Sequence, residues 1–214
     1  RYFQPNKLTR RSRYMSMHGG MPKGHPHEVP GMKGHGGHPG GHGGHGGGPD
    51  KSGGRKWLPK LIAWELTRSC NLDCIHCRAA ARFGPYPNEL TTEECYKFLD
   101  DVASFSNPIM IMTGGEPMLR DDIWDIAKYG TKLGLRMVMA PCGFLVTEET
   151  ARKMIESGIQ RVSFSIDGAT AESHDNFRRV KGAFASVMQA IESVKKVGLP
   201  FQVNTTITKH NLAE

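Results

Sequence analysis

From Trp57 to the end of the chain, strand-like and helix-like segments alternate, and this order limits the fold more than any other feature. KLIAWELTRS, PIMIMTGGEP, LRMVMAPCG, IQRVSFSIDG and LPFQVNTTIT read as strands. TTEECYKFLDDVASF, DDIWDIAKYGTKLG, TEETARKMIESG and KGAFASVMQAIESVKKVG read as helices between them, with Thr91 or Thr92 and Thr147 as caps and Gly134 and Gly158 at two ends. Strands separated by helices are parallel, with right-handed crossovers, in either a barrel or an open doubly wound sheet. A strand covered on both faces should be apolar on both. These strands alternate instead. Ser163, Ser165 and Asp167 oppose Val162, Phe164 and Ile166; Gln202, Asn204 and Thr206 oppose Phe201, Val203 and Thr205; Ala63, Glu65 and Thr67 oppose Ile62, Trp64 and Leu66. One face packs on helices and the other looks into something polar, which favours a barrel around a ligand cavity.

Five strands do not close such a barrel, so at least one further unit is expected beyond Glu214. The chain starts at Arg1 without Met and stops just after the fifth strand, as a fragment would. The reading is therefore α/β, with residues 57–214 forming a barrel truncated after about its fifth strand. In barrels of this kind, chemistry gathers at the C-terminal ends of the strands. The sequence places SCNLDCIHC, GGEP, PCG, DG and TITKHN there, so the unusual residues share one rim.

Residues 1–56 differ in kind. They hold 10 Lys/Arg and 2 Asp/Glu, a net charge of +8, whereas the remaining residues sum to −1. Seven of the ten histidines and 16 of the 26 glycines also lie here, mostly in the tract HGGMPKGHPHEVPGMKGHGGHPGGHGGHGGGPDKSGG. Such a segment buries too little apolar surface to offset its ordering entropy, and we expect a disordered tail. It reads as a flexible linker or a loose metal-binding tract, the latter making the chain a His-rich metal-binding protein. The basic charge belongs to this tail and lacks interleaved aromatics, so nucleic acid is not an expected partner. No run of about 18 apolar residues predicts a membrane span. No apolar core follows the basic N-terminus as a secretory signal requires, and the expected compartment is the cytoplasm.

Cys70, Cys74 and Cys77 form C-x3-C-x2-C, while Cys95 and Cys142 stand alone. Clustered thiols without an even framework suggest a metal site over disulfides. A buried helix face fits poorly with Asn71, Asp73 and His76 among them. Structural zinc wants four ligands, commonly as two pairs. A [4Fe–4S] cluster also takes four thiolates as a rule. Held by three, it keeps one iron open to a substrate or cosubstrate.

The cysteine loop after the first strand, the ring of His76 before the third cysteine, and GGEP at Gly114–Pro117 together resemble the radical S-adenosylmethionine superfamily, over roughly residues 57–214. That resemblance implies a partial (β/α)6 TIM-like barrel, a [4Fe–4S] cluster on Cys70, Cys74 and Cys77, and S-adenosyl-L-methionine chelating the open iron. It implies cofactor contacts at Gly114, Gly115, Glu116 and Pro117, at Ser165 and Asp167, at Arg178 or its neighbour Arg179, and at Asn204 and Thr206. Gly114 and Gly115 would admit the backbone to the methionine moiety, and Glu116 would accept from its ammonium group. Reductive cleavage of the sulfonium would give a 5′-deoxyadenosyl radical, so no protein base or nucleophile is required to generate it. A reductant such as flavodoxin or ferredoxin is an implied partner.

The wording LIAWELTRSCNLDCIHCRAAA, MTGGEPMLRDDIWDIAKYGTKLGLRMVMAPCG and SGIQRVSFSIDGATAESHDNFR is similar to the haem-biosynthesis branch, nearest the alternative haem b synthases. This implies a tetrapyrrole substrate, iron-coproporphyrin III, with oxidative decarboxylation of two propionates to vinyl groups. Arg68, Arg78, Arg82 and Arg120 near strand ends are candidate carboxylate contacts. Related branches stay open: didecarboxysirohaem deacetylase, haem d1 synthesis and peptide maturases with auxiliary clusters. Cys142 is a cofactor neighbour or a stray thiol, and Cys95 a buried apolar residue.

Overall fold

The computed structural model describes residues 58–213. The tail read from residues 1–56 lies outside them. Five parallel strands run β1 (Leu61–Thr67), β2 (Ile109–Gly114), β3 (Arg136–Met139), β4 (Val162–Ser165) and β5 (Phe201–Asn204). Their order in the sheet is their order in the chain. Helices α1 (Thr92–Phe105), α2 (Ile123–Lys132), α3 (Glu148–Glu156), α4 (Ala171–Arg178) and α5 (Ala183–Val197) fill the connections. This is the successive βα winding of part of a barrel, with β1 and β5 as its edges.

Strand alternation builds the core. On the helix side Trp64, Leu66, Met110, Met112, Met137, Met139, Val162 and Phe164 are buried. They meet Leu99 and Val102 of α1, Ile123 and Ile126 of α2, Met154 of α3, and Val187 and Val194 of α5 in one cluster. Full burial of each such side chain stabilises by roughly 1.5–3 kcal/mol. Unbranched methionines fill the irregular spaces between strand and helix. The opposite face is not polar throughout. Ile109, Ile111 and Val138 are apolar and half-buried toward the strand starts, while Glu65, Thr113, Ser163, Ser165 and Asn204 lie nearer the strand ends. Polarity is concentrated at the rim where the unusual residues gather.

Local signals fix the helix starts. Thr91 and Glu94 close a capping box on α1, as Thr147 and Thr150 do on α3. Asp122, at the start of α2, caps nothing, because its carboxylate is taken by Arg120 and by Thr92 Oγ1. One helix was not expected from the sequence. α4 starts at Thr170, whose hydroxyl accepts from the Ser173 N–H, and it positions the site.

Candidate functional site at the strand ends

The cysteine loop leaves β1 and is held from two sides. On one side, the Gly115 N–H donates to Thr67 O and the Glu116 N–H donates to Ser69 O, both at 2.7 Å. This approach requires glycine: a Cβ on Gly114, at φ +134°, would lie 2.3 Å from Thr67 O, and one on Gly115 would lie 2.1 Å from Ser69 O. The two glycines thus admit the cysteine loop itself, a packing role beyond the cofactor access expected of them. On the other side, the loop rests on the C-terminal end of α4. There the Ile75 N–H donates to Phe177 O at 3.1 Å and the Asp73 N–H to Arg178 O at 3.4 Å, while His76 stacks on Phe177 at 4.5 Å.

The three sulfurs lie in an apolar pocket with Leu72, Ala81 and Ala183. Each receives an N–H: Leu72 N to Cys70 Sγ at 3.4 Å, Ala81 N to Cys77 Sγ at 3.3 Å, and Arg178 Nη1 to Cys74 Sγ at 3.5 Å. Burial raises the thiol pKa of Cys70 to about 11, and burial likewise raises that of Cys74, opposed by Arg178. Such thiols ionise on binding a metal, and the donated N–H groups suit the resulting thiolates. The donor set therefore fits an iron–sulfur cluster. Among the described residues no three His, Cys, Asp or Glu side chains are grouped to hold a single metal ion.

A cavity of about 320 Å³ opens beside the cysteines. Gly114, Gly115, Ser165, Arg178 and Asn204 line it with Cys70, Cys74 and Cys77, so these expected residues are brought together. Four others are not in its wall. Glu116 is fully buried, with Oε1 accepting from the Met118 N–H at 2.9 Å and Oε2 from the Cys142 N–H at 2.6 Å. Its carboxyl pKa is raised by burial, against those two bonds. Both oxygens brace the β2 and β3 loops, so the expected contact with an ammonium group is not the geometry seen. Pro117 is buried at the first position of a 3-10 turn, Pro117–Leu119. Asp167 is buried and grips Arg178 Nη2, while its Oδ1 accepts from the Thr206 N–H at 2.8 Å. It orients the arginine instead of presenting an open carboxylate. Thr206 contributes that N–H, and its side chain is not in the wall.

The two adjacent arginines differ in placement at the end of α4. The Arg178 side chain is 12 % exposed, with its Nε buried and unpartnered, as is His76 Nδ1. Arg179 takes the left-handed conformation, φ 57°, and its side chain turns outward. The other arginines sort equally clearly. Arg120 is committed to Asp122 and to the carbonyls of Leu66 and Leu90. Arg68 bonds Ala79 O and lies over the Tyr86 ring. Arg78, at the cavity, and Arg82 are exposed, in loose pairs with Glu65 and Asp73.

Sequence reasoning missed His174. Buried on α4, it accepts the Asp167 N–H at Nδ1, and its pKa is lowered by burial and by Arg178. It also missed Asn71, whose Oδ1 accepts from the Cys142 thiol at 3.0 Å. The available signal for α4 was a Thr with Ser three residues on and Glu in the first turn, TAES. Cys142 lines the cavity, and Cys95 is buried on α1.

A parallel βα half-barrel with a three-cysteine loop at its rim defines a class, and the comparison with family models agrees. Residues 64–214 match the radical SAM superfamily, and the chain belongs to it. The cofactors of that superfamily are a [4Fe–4S] cluster and S-adenosylmethionine. Among curated relatives, an AdoMet-dependent heme synthase of Methanosarcina barkeri is 53 % identical over 156 residues, 73 % of this chain and 45 % of that protein. An Fe-coproporphyrin III synthase of the same organism is 38 % identical over 154 residues, 72 % of this chain and 38 % of that protein. Streptococcus suis SuiB bound to S-adenosylmethionine shares the fold with a TM-score of 0.62 at 16 % identity, over 71 % of this chain and 35 % of that one. The chain spans less than half the length of these relatives.

Proposed function

We propose that the protein is a radical S-adenosylmethionine enzyme of haem biosynthesis that decarboxylates propionates of iron-coproporphyrin III to vinyl groups. The observation that carries the chemistry is the cavity itself, where three N–H-bonded cysteine sulfurs stand opposite Gly114, Gly115, Ser165 and Asn204. The substrate class rests on the relatives named for heme synthesis. When bound, the cluster and S-adenosylmethionine supply hydrogen-atom abstraction from an unactivated carbon.

Cys70, Cys74 and Cys77 would hold the cluster in an apolar pocket that restricts water. Arg178 would offer its unpartnered Nε–H to the S-adenosylmethionine carboxylate. Ser165 and Asn204 would line the nucleoside side. Arg78 and Arg82, exposed and loosely paired, are free to exchange their acids for propionates, and exposed Phe83, next in the chain after Arg82, offers a ring to a flat macrocycle. Arg68 and Arg120 are structural in this reading. Each propionate would give up a hydrogen atom from its β-carbon to the 5′-deoxyadenosyl radical, then CO2 and one electron, the electron passing to a one-electron acceptor such as an oxidised flavodoxin or ferredoxin. A flavodoxin or ferredoxin would supply the electron that starts each cycle. No helix among the described residues is long and apolar enough to cross a membrane, and we place the enzyme in the cytoplasm.

The test is anaerobic incubation of the reconstituted full-length protein with iron-coproporphyrin III, S-adenosylmethionine and a reductant, followed by mass spectrometry. Sequential loss of two CO2 with formation of haem b is expected. S-adenosylmethionine turnover with the porphyrin left intact, and a didecarboxysirohaem or a peptide consumed instead, would replace this substrate.

A further inference from the structure

Of the three cysteine sulfurs, Cys70 and Cys77 receive neutral backbone N–H groups, whereas Cys74 receives a guanidinium. That guanidinium is fixed. Nη2 is held by Asp167, whose side chain is wholly buried, and Asp167 is fixed in turn by the N–H of Thr206 and, at its carbonyl, by Asn211 Nδ2 at 2.8 Å. The backbone carbonyl of Arg178 receives the Asp73 N–H next to Cys74, so main chain and side chain both register α4 against the loop. Elements after β4 and β5 therefore converge on one sulfur of a loop that follows β1.

We infer that Arg178, clamped by Asp167, holds a charge-assisted N–H on the Cys74 sulfur and thereby raises the reduction potential of the cluster. Reduction adds negative charge to the cluster and its thiolates. A hydrogen bond from a cation stabilises the reduced form more than the oxidised one. Nη1 lies on the sulfur, Nε is buried without a partner, and the residue lines the cavity, so the group that would meet S-adenosylmethionine also makes the cluster easier to reduce. Arg178 is here a positioning residue that acts through Cys74. This inference rests on the reading that the three cysteines hold a [4Fe–4S] cluster.

The experiment uses full-length wild type, Arg178→Lys and Arg178→Gln, reconstituted anaerobically and assayed for iron and acid-labile sulfide. Midpoint potentials are then taken by redox titration followed by electron paramagnetic resonance, without substrate and without S-adenosylmethionine, so that cofactor binding plays no part. Arg178→Gln is expected to shift the equilibrium at least tenfold toward the oxidised cluster, about 59 mV more negative for one electron. Arg178→Lys is expected to fall between, because an ammonium lacks the planar fork that serves Asp167 and the sulfur together. Equal potentials in all three overturn the inference. Should the Gln variant fail to load, an unmoved potential in the Lys variant overturns it. A wild-type protein that takes up no cluster overturns the reading beneath it, an outcome distinct from a loaded cluster with an unmoved potential.

Discussion

Replacing Gly115 with Ala tests the seam between GGEP and the cysteine loop. The new Cβ would lie 2.1 Å from Ser69 O, 2.6 Å from Ser69 C and 2.9 Å from Arg68 O. All three atoms are backbone, so no rotamer change relieves the clash, and the two segments must separate. The hydrogen bonds Gly115 N–H to Thr67 O and Glu116 N–H to Ser69 O flank the new methyl group, each at 2.7 Å. Losing both costs about 2 kcal/mol, and residual backbone distortion adds about 1 kcal/mol, a total of about 3 kcal/mol. Gly134→Ala is the control: its φ is +81° with nothing within 4 Å of a Cβ. It carries only the left-handed penalty, about 1–2 kcal/mol. Denaturant unfolding of the iron-free protein compares the two, and iron and sulfide content after reconstitution reports on the loop. Gly115→Ala should lose more stability than Gly134→Ala and should also load less cluster. Equal stabilities with full loading of Gly115→Ala would refute this account of the glycines.

Arg120→Ala should lower stability by about 2–3 kcal/mol, since it strips a partly buried carboxylate of its partner; thermal unfolding checks this. Arg78→Ala and Arg82→Ala should leave the melting temperature unchanged and raise the porphyrin KM about tenfold, the loss of one charge-assisted contact. For His174, burial and then Arg178 depress the folded pKa below its ordinary 6.5. The neutral form is the native one, so its contribution is present above pH 6.5 and is lost as pH falls through the depressed folded value. His174→Asn keeps an acceptor for the Asp167 N–H without titrating, and should flatten the decline in urea midpoint between pH 7.5 and 5.5 that wild type shows (about those two values as working points).

Much of the fold was legible because the strands carry their two environments in alternate residues. IMIM and RMVM put methionines on the helix side, and VSFS puts serines at the cavity. The same alternation misled at Ile109, Ile111 and Val138, where an inward face stays apolar away from the rim. Cys70, Cys74, Cys77, Gly114, Gly115, Ser165 and Asn204 were legible as a set because motif and strand end coincide, whereas Arg178, at the end of α4, was expected only from the family resemblance. What did not show was direction. Glu116 and Asp167 carry the charges a ligand would want, yet their oxygens are spent on Cys142, Met118, Thr206 and Arg178. The commitments to Cys142 and Thr206, 26 and 39 residues away in the chain, leave no local pattern. α4 was missed because eight mostly polar residues have no apolar stripe, and its role lies in two carbonyls at its end.

The central claim is that Cys70, Cys74 and Cys77 hold the cluster at which S-adenosylmethionine is cleaved. The direct measurement is 5′-deoxyadenosine formation by full-length protein under anaerobic reducing conditions, alongside iron and acid-labile sulfide counts, in wild type, Cys70→Ala and Cys95→Ala. Wild type and Cys95→Ala should carry a [4Fe–4S] cluster and form 5′-deoxyadenosine, and Cys70→Ala should do neither. A Cys70→Ala protein that still assembles the cluster and cleaves S-adenosylmethionine would contradict the account.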